Sequence, residues 1–184
     1  MQAVELAVLD WIQAHLRCEL LDTVMVFLSW TCNHGELWIA LALILVVMRR
    51  QRRCGTAVGW ALVVNLIGCN LILKPLFGRI RPFAFQPGLE LLIPPPLDPS
   101  FPSGHTSASF AAAFALKTAG SPLWKPAMAV AVAMAFSRLY LYVHWPSDVL
   151  GGALLGAAAG WAGARFAGYL DARWHSQSKN TPET

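Results

Sequence analysis

Charged residues are scarce in this sequence of 184 residues, where Asp, Glu, Lys and Arg make up 13% and hydrophobic residues make up 56%. An ordinary soluble domain has about a quarter of its residues charged. The length suits a single domain, but a water-soluble surface of that size would need more charge. The composition therefore argues against a cytosolic enzyme, a nucleic-acid-binding module and a disordered chain, and it favours a small polytopic membrane protein.

Closely spaced cysteines are also missing. The sequence contains no CxxC pair, and its thiols are widely separated at Cys18, Cys32, Cys54 and Cys69. Such spacing supports neither a disulfide framework nor a zinc site. We therefore expect free thiols in or near the bilayer.

The N-terminal segment lacks the features of a secretory signal, because Glu5 and Asp10 interrupt the apolar stretch that a signal requires. The larger apolar side chains of residues 1–17 share one helical stripe made of Val4, Val8, Trp11, Ile12 and Leu16. That periodicity predicts an amphipathic helix lying in the membrane interface. A soluble helix packed against the domain is the alternative.

Apolar runs then follow in quick succession, at residues 23–33, 37–48, 55–73, 106–116, 126–137 and 149–164. A transmembrane helix needs roughly 20 residues, and only the third run reaches that length without its flanks. We predict an all-α fold with one membrane domain, in which residues 20–170 form a bundle of six transmembrane helices and residues 171–184 form a cytoplasmic tail.

Basic residues support this topology. If all the runs cross the membrane, one side receives a majority of the basic residues: Arg17, Arg49, Arg50, Arg52, Arg53, Lys117, Lys125, Arg165, Arg173 and Lys179. The positive-inside rule then puts both termini in the cytoplasm. The opposite side receives Lys74, Arg79, Arg81 and Arg138. Because basic residues are disfavoured on that side, we expect them to bind an anion.

Three polar segments lie at the outer ends of predicted spans, at residues 74–82, 102–105 and 137–148. The first and the third supply the cations Lys74, Arg81 and Arg138. In the second, Ser103 can cap the following helix, and Gly104 allows a ligand to approach the backbone closely. The free N–H groups at the start of that helix suit an anion.

The same segments contain the groups that break a phosphate ester without a metal, which are a nucleophile and a proton donor. Histidine suits both roles because its ordinary pKa is about 6.5. Asp148 follows His144 by four residues and can accept its imidazole N–H, and His105 can act as the acid. Two alternatives are cations that only snorkel to the interface and a metal site of His105, His144 and Asp148, although nearby cations would repel a divalent ion.

The order K-x6-R-P, P-S-G-H and S-R-x5-H-x3-D, between about residues 55 and 164, resembles the three-part signature of the type-2 phosphatidic acid phosphatase superfamily. The resemblance implies a helical bundle without a metal or other cofactor, crossing the membrane six times in the bacterial lipid phosphatases. It implies that the phosphate is bound by Lys74, Arg81, Ser103, Gly104 and Arg138. It also implies that His144 forms a phosphohistidine, oriented by Asp148, and that His105 protonates the leaving oxygen.

The compact size resembles bacterial members of that superfamily. We therefore expect hydrolysis of a lipid phosphate or diphosphate at the outer face of the cytoplasmic membrane, with undecaprenyl diphosphate as the first choice of substrate and no nucleic-acid partner. Phosphatidylglycerophosphate and phosphatidic acid are the alternative substrates. A vanadium haloperoxidase shares such a site but is soluble, and an anionic-lipid transporter would not need the histidines and the aspartate.

Three further features carry weaker expectations. Gly152, Gly156 and Gly160 form a row of small residues on the last span, which we interpret as helix packing inside the bundle rather than a dimer seam. Asn65 and Asn70 are costly in lipid unless paired, so we expect them inside the bundle. Residues 83–101, which we name the proline-rich loop, either lie against the outer leaflet beside the mouth of the site or form a rigid connector.

The turn between the first two apolar runs contains His34 and Glu36, on the side of the expected site. We interpret it as a turn exposed to water, with substrate contact as the alternative.

Overall fold

The computed structural model describes the backbone of residues 2–33 and 35–179 and the side chains of those residues through Arg173. The expectations for His34 and for residues 180–184 of the tail lie outside this description. The described residues form helices joined by turns and loops, without a β-strand. The α-helices are α1 Gln2–Leu16, α2 Glu19–Trp30, α3 Glu36–Val47, α4 Arg52–Asn65, α5 Lys74–Phe77, α6 Gly104–Thr118, α7 Trp124–Tyr140 and α8 Pro146–Lys179.

Each predicted apolar run overlaps one of the longer helices, because an apolar segment can satisfy its backbone groups within a helix. Two stretches, Arg52–Phe85 and Pro146–Arg173, are long and apolar enough to cross a membrane, and in the first the helix is continuous as far as Phe77. The helix Glu36–Val47 is apolar but shorter. The all-α class is thus confirmed, and six crossings remain a prediction.

A π-helical segment, Leu66–Leu73, continues α4 directly into α5. π turns are rare and frequently occur at functional sites. The stretch then ends at Gly78, which adopts a left-handed conformation with φ of 53° and donates its N–H to the carbonyl of Lys74 at 3.1 Å. A left-handed residue at this position is a common helix terminator, and it turns the chain toward Arg79 and Arg81.

The glycine row of α8 packs against α6. A Cβ atom added at Gly156 would lie 2.3 Å from the carbonyl oxygen of Ser107, and one added at Gly160 would lie 2.5 Å from that of Ala111. Small residues permit this close approach between helices in a membrane. The interpretation as packing within the bundle is therefore confirmed, and the contact fixes α8 beside the N-terminal end of α6.

The outer surface is rich in large apolar side chains, whereas alanine and glycine fill the interior. Exposed examples are Leu43, Leu71, Val132, Leu150, Leu154 and Trp161, and the alanines of α6 at the core are Ala111, Ala112, Ala113 and Ala115. Because lipid tails are as apolar as leucine, membrane helices pack through small residues and direct large ones outward. The distribution suits a bundle surrounded by lipid.

Helix α1 is present as predicted, and it packs on the protein through Ile12 of the predicted stripe and through residues beside that stripe. Leu9 and Ile12 are buried against the α7–α8 connection, and Glu5 is buried as well. Most of the predicted stripe, including Val4, Val8 and Trp11, is exposed. The two stripes are neighbours on the helix surface, and the polar partners of Glu5 select the one that faces the protein. The interfacial role of α1 remains a prediction.

Several smaller expectations can be compared with the structure. The thiols are free, with Cys18 exposed and the other three buried. Asn65 is buried as expected, whereas Asn70 is exposed and borders a cavity. The predicted tail begins as helix, because α8 continues to Lys179.

Candidate active site

A cavity of about 1060 Å³ lies among α2, α3, α4, α6 and the proline-rich loop. Its polar lining includes five of the predicted site residues with ionisable side chains, Lys74, Arg81, His105, Arg138 and His144. Its apolar lining includes Val26, Ile39, Leu43, Val63, Leu66 and Ile93. The chain thus brings the three predicted motifs together in one place, next to an apolar space. Because Leu92 to Pro96 border this cavity, the proline-rich loop does lie at the mouth of the site.

Lys74 and Arg81 meet at a carboxylate that the sequence analysis did not select. Asp98, in the proline-rich loop, accepts hydrogen bonds from the ammonium of Lys74 and from Nη2 of Arg81, the latter at 2.8 Å. Arg81 also donates from Nε to the Asp98 carbonyl at 2.9 Å. Partial burial alone would raise the pKa of Asp98, but the hydrogen bond and charge of Lys74 and the charge of Arg81 hold it below its ordinary value.

Arg138 and His105 each direct an unpaired nitrogen at this cavity. Nη2 of Arg138 and Nε2 of His105 are buried and have no hydrogen-bond partner within residues 2–33 and 35–179. The Nε atom of Arg138 is held by the Ser137 hydroxyl at 3.1 Å. A buried donor without a partner costs about 1–3 kcal/mol. Nη2 of Arg138 is always a donor, and Nε2 of His105 donates when the ring is protonated, so the pair suits a ligand that carries several oxygen acceptors.

The N-terminus of α6 lies beside Lys74. A Cβ atom added at Gly104 would be 3.6 Å from Nζ of Lys74, so the ammonium lies next to the start of the helix. Ser103 is the N-cap, as predicted, and its hydroxyl accepts from the Thr106 N–H at 3.5 Å. Its own backbone N–H donates to the Asp148 carbonyl at 3.1 Å, which fixes the start of α6 against α8.

His144 lies in the connection between α7 and α8, and its contacts identify the tautomer. Nη1 of Arg81 is 3.1 Å from Nε2 of His144. A guanidinium can only donate, so Nε2 accepts with its lone pair and the proton is on Nδ1. Nδ1 faces Oδ2 of Asp148 at 3.5 Å and the hydroxyl of Ser100 at 3.4 Å. Nε2 is therefore the unprotonated nitrogen, and its electron pair accepts from Arg81 in the free protein.

Burial lowers the pKa of His144 to about 4, and the positive charge of Arg81 acts in the same direction, while the hydrogen bond with Asp148 opposes them. The ring is neutral at physiological pH as a result. A neutral imidazole with Nε2 unprotonated is the form that can attack phosphorus.

Asp148 is fully buried, and both of its carboxylate oxygens accept hydrogen bonds. Oδ2 accepts from the Trp145 backbone N–H at 2.9 Å and from the Ser100 hydroxyl, and Oδ1 accepts from Nη1 of Arg79 at 2.5 Å. Ser100 had no predicted role, and Arg79 was expected to bind an anion with the other outer cations. Arg79 does not border the cavity and instead pairs with Asp148 and Glu5. The sequence feature that could have identified Arg79 is its position within the K-x6-R-P segment, two residues before Arg81.

The metal alternative finds no support in the geometry. Across the part of the chain that the structure describes, no group of three His, Cys, Asp or Glu side chains is arranged to hold a metal ion. His105, His144 and Asp148 therefore do not form a ligand set here.

A bundle of apolar helices whose ends join cations, two histidines and a carboxylate around one cavity is the architecture of a helical membrane protein. A profile described as the PAP2 superfamily matches residues 54–171. The chain therefore belongs to the PAP2 superfamily, as its three motifs predicted.

Several curated relatives carry the names of phosphatases, and one is named a bacitracin transport permease protein, from Bacillus licheniformis. The chain is 35% identical over 140 residues to undecaprenyl-diphosphatase of Sulfolobus acidocaldarius, covering 74% of this chain and 66% of that protein. It is 37% identical over 136 residues to decaprenylphosphoryl-5-phosphoribose phosphatase of Mycobacterium tuberculosis, covering 72% of this chain and 73% of that protein. The chain thus spans slightly less than two thirds of the Sulfolobus relative.

Solved structures share the fold. The crystal structure of Aquifex aeolicus LpxE superposes with a TM-score of 0.73 at 26% identity, covering 87% of this chain and 94% of that one. The transmembrane PAP2-type phosphatidylglycerolphosphate phosphatase from Bacillus subtilis gives a TM-score of 0.71 at 22% identity, covering 90% and 85%. Because its identity is only 22%, the likeness to the Bacillus subtilis protein is evidence for the fold alone. With its two candidate spans, the chain has the fold of a membrane protein.

Proposed function

We propose that this protein is a lipid phosphatase that hydrolyses a lipid phosphate or diphosphate through a phosphohistidine on His144. One observation carries the proposal: the cations, the α6 N-terminus and both histidines line a cavity whose other walls are mostly apolar. That combination suits a ligand with a phosphate head and a hydrocarbon chain. The phosphatase names of the curated relatives support the same class of reaction.

The phosphate group is held by Lys74, Arg81 and Arg138 with the N–H groups of Gly104 and the hydroxyl of Ser103. In phosphoryl transfer, charge spreads over three equatorial oxygens, and such donors stabilise it. Nη2 of Arg138 gains the acceptor that it lacks among the described residues. Ser103 is the least direct of this set, because it is fully buried and does not border the cavity.

The reaction proceeds in two displacements at phosphorus. Nε2 of His144 attacks with its lone pair, and the bond from phosphorus to the leaving oxygen breaks. His105, kept protonated by the negative charge of the bound phosphate, gives its proton to that oxygen. A water then attacks the phosphohistidine, returns a proton to the neutral His105, and releases inorganic phosphate and free His144. Asp148 orients the imidazole and stabilises the positive charge that the ring gains.

The preferred substrate is undecaprenyl diphosphate, supported by the name of the Sulfolobus relative and by the long apolar walls of the cavity. Phosphatidylglycerophosphate and phosphatidic acid remain the alternatives. The sequence does not distinguish the head groups, since each presents a terminal phosphate to the same cations.

We propose that six helices of the 20–170 bundle cross the cytoplasmic membrane, with the site at the outer face, both termini inside and α1 along the interface. Arg53, at the start of α4, pairs with Asp171 near the end of α8 at 3.0 Å. Lys74 lies at the opposite end of the same helical stretch. The separation of basic clusters from site cations supports the orientation that the positive-inside rule predicts.

Phosphate release from a panel of lipid phosphates by the purified protein in detergent tests the reaction. We expect turnover by the wild type, transfer of labelled phosphate to the protein, and loss of both in His144→Ala. His15→Ala, at an exposed histidine of α1, is the matched control and should retain activity. Full activity in His144→Ala would remove it as the nucleophile, and a wild type that releases no phosphate from any lipid would favour the transporter alternative.

Alkaline phosphatase fusions test the orientation. Fusions within residues 83–101 should be active and fusions after Arg53 inactive. The reverse pattern would invert the topology.

A further inference from the structure

Arg79 connects the buried carboxylate of Asp148 to the N-terminal helix. Its Nη1 donates to Oδ1 of Asp148 at 2.5 Å and to the Ser147 hydroxyl at 2.6 Å, while Nη2 donates to Oε2 of Glu5 at 2.8 Å. Its guanidinium also lies 5.1 Å from the centre of the Trp145 ring. Arg79 thus contacts Asp148, a predicted site residue, without itself bordering the cavity.

Glu5 is fixed at both oxygens. Oε2 accepts from Arg79, and Oε1 accepts from the Ser147 backbone N–H at 2.9 Å and from its hydroxyl at 2.5 Å. Burial by itself would raise the pKa of Glu5, but the hydrogen bonds from Ser147 and Arg79 lower it below the ordinary value. The ionised carboxylate of α1 therefore holds both the start of α8 and Arg79.

The consequence for Asp148 follows from guanidinium geometry. An arginine next to a lone carboxylate tends to bind both oxygens through two parallel N–H bonds. Here Glu5 occupies Nη2, so the bond with Asp148 runs from Nη1 to Oδ1. Oδ2 then remains on the side of His144, where it lies 3.5 Å from Nδ1.

We propose that Glu5 and Arg79 are positioning residues of the His144–Asp148 pair: Glu5 keeps Arg79 on one oxygen of Asp148, so that the other oxygen orients the Nδ1–H of His144. This inference rests on the proposed phosphatase function. Glu5 comes from α1, which lies outside the region that the superfamily profile matches, residues 54–171. The N-terminal helix thereby becomes part of the machinery that prepares the nucleophile.

Glu5→Gln tests the proposal, because it removes the charge that holds Arg79 and keeps the shape. We expect kcat to fall on the order of tenfold, a typical loss for an outer partner of a functional residue, with KM within about twofold of the wild type. Arg79→Lys keeps the charge but cannot bridge two carboxylates, and it should give a similar loss of kcat. It also serves as the second variant if Glu5→Gln does not fold.

Asp10→Asn is the matched control. Asp10 is a second carboxylate of α1 that accepts a hydrogen bond, from the Tyr142 hydroxyl at 2.7 Å. The variant weakens the docking of the same helix without touching Arg79, and it should keep kcat within about twofold. Thermal unfolding of both α1 variants separates a loss of fold from a loss of positioning.

A double-mutant cycle gives the decisive readout. If Glu5 acts through Asp148, Glu5→Gln should not lower kcat further in an Asp148→Asn background, whereas independent effects would add. Wild-type kcat in both Glu5→Gln and Arg79→Lys, or a full tenfold loss persisting in the Asp148→Asn background, would overturn the inference and leave the phosphatase proposal intact. Absence of phosphate release by the wild type would instead overturn the proposed function.

Discussion

The carboxylate of Asp98 accepts a hydrogen bond from Nη2 of Arg81 at 2.8 Å and pairs with the ammonium of Lys74 as well. In the free protein, two of the three proposed phosphate-binding cations are thus occupied by an anion of the same chain. The side chain of Asp98 is 47% exposed, so it can leave these cations for water at little desolvation cost. A phosphate that binds to Lys74 and Arg81 must compete with it.

Asp98→Asn should therefore strengthen inhibition by inorganic phosphate, the product of the reaction. An ion pair that is half exposed is worth about 0.2–1 kcal/mol. Its loss should lower the inhibition constant by about 1.4- to fivefold, since 1.4 kcal/mol corresponds to a factor of ten. The measurement is the inhibition constant of phosphate against a lipid substrate in detergent.

Glu90→Gln is the control for Asp98→Asn, because Glu90 is the other acidic residue of the proline-rich loop and is exposed. It should leave the inhibition constant unchanged. Weaker inhibition by phosphate in Asp98→Asn would mean that Asp98 organises the two cations rather than competing for them.

His105→Ala should depend on the leaving group. An alcohol leaving from a lipid phosphate needs a proton, whereas an aryl oxygen of low pKa departs without one. The variant should lose about a hundredfold or more in kcat with a lipid phosphate and less than about tenfold with p-nitrophenyl phosphate. Equal losses with both substrates would contradict the assignment of His105 as the acid.

The three predicted motifs lie close together in the folded protein because each is at the end of an apolar run. Parallel or antiparallel packing of helices brings such ends together. Lys74, His105 and His144 could be selected in this way without knowing any crossing angle. Asp98 could not, since its contact depends on the path of a loop with little regular structure. The role of Glu5 could not be predicted, because Val4 and Glu5 begin two neighbouring stripes of α1 and both stripes contain apolar residues. Only the partners of Glu5 in the folded protein show which of the two stripes is buried.

The number of crossings was harder to predict than the helices. The stretch Arg52–Phe85 is long and apolar, but the helix Glu36–Val47 is shorter than a typical span. Hydropathy therefore identified the helices. It does not identify the packing of Gly156 and Gly160 against α6, because that packing depends on small residues, to which hydropathy scales give little weight.

Protonation of His144 should make the folded state less stable in mild acid. Its pKa of about 4 in the folded protein lies below the ordinary 6.5. Between these values the unfolded chain binds a proton that the folded chain does not, so stability rises with pH through this window and falls as the pH drops from 6.5 toward 4. Thermal unfolding in detergent should show a steeper loss over this range in the wild type than in His144→Gln. Parallel curves would contradict the buried, neutral imidazole.

Gly156→Ala should loosen the contact between α6 and α8. The added methyl group would lie 2.3 Å from the carbonyl oxygen of Ser107, and because that atom belongs to the backbone, a helix must shift. Overpacking of this kind costs about 1–3 kcal/mol, which lowers Tm by about 2–4 °C per kcal/mol in a chain of this size. Gly168→Ala, in the same helix, is the control, since no atom lies within 4 Å of its added Cβ. Because α6 begins at Gly104 and His105, activity should fall with stability in Gly156→Ala, and an unchanged Tm together with full activity would show that the helices do not pack through this row.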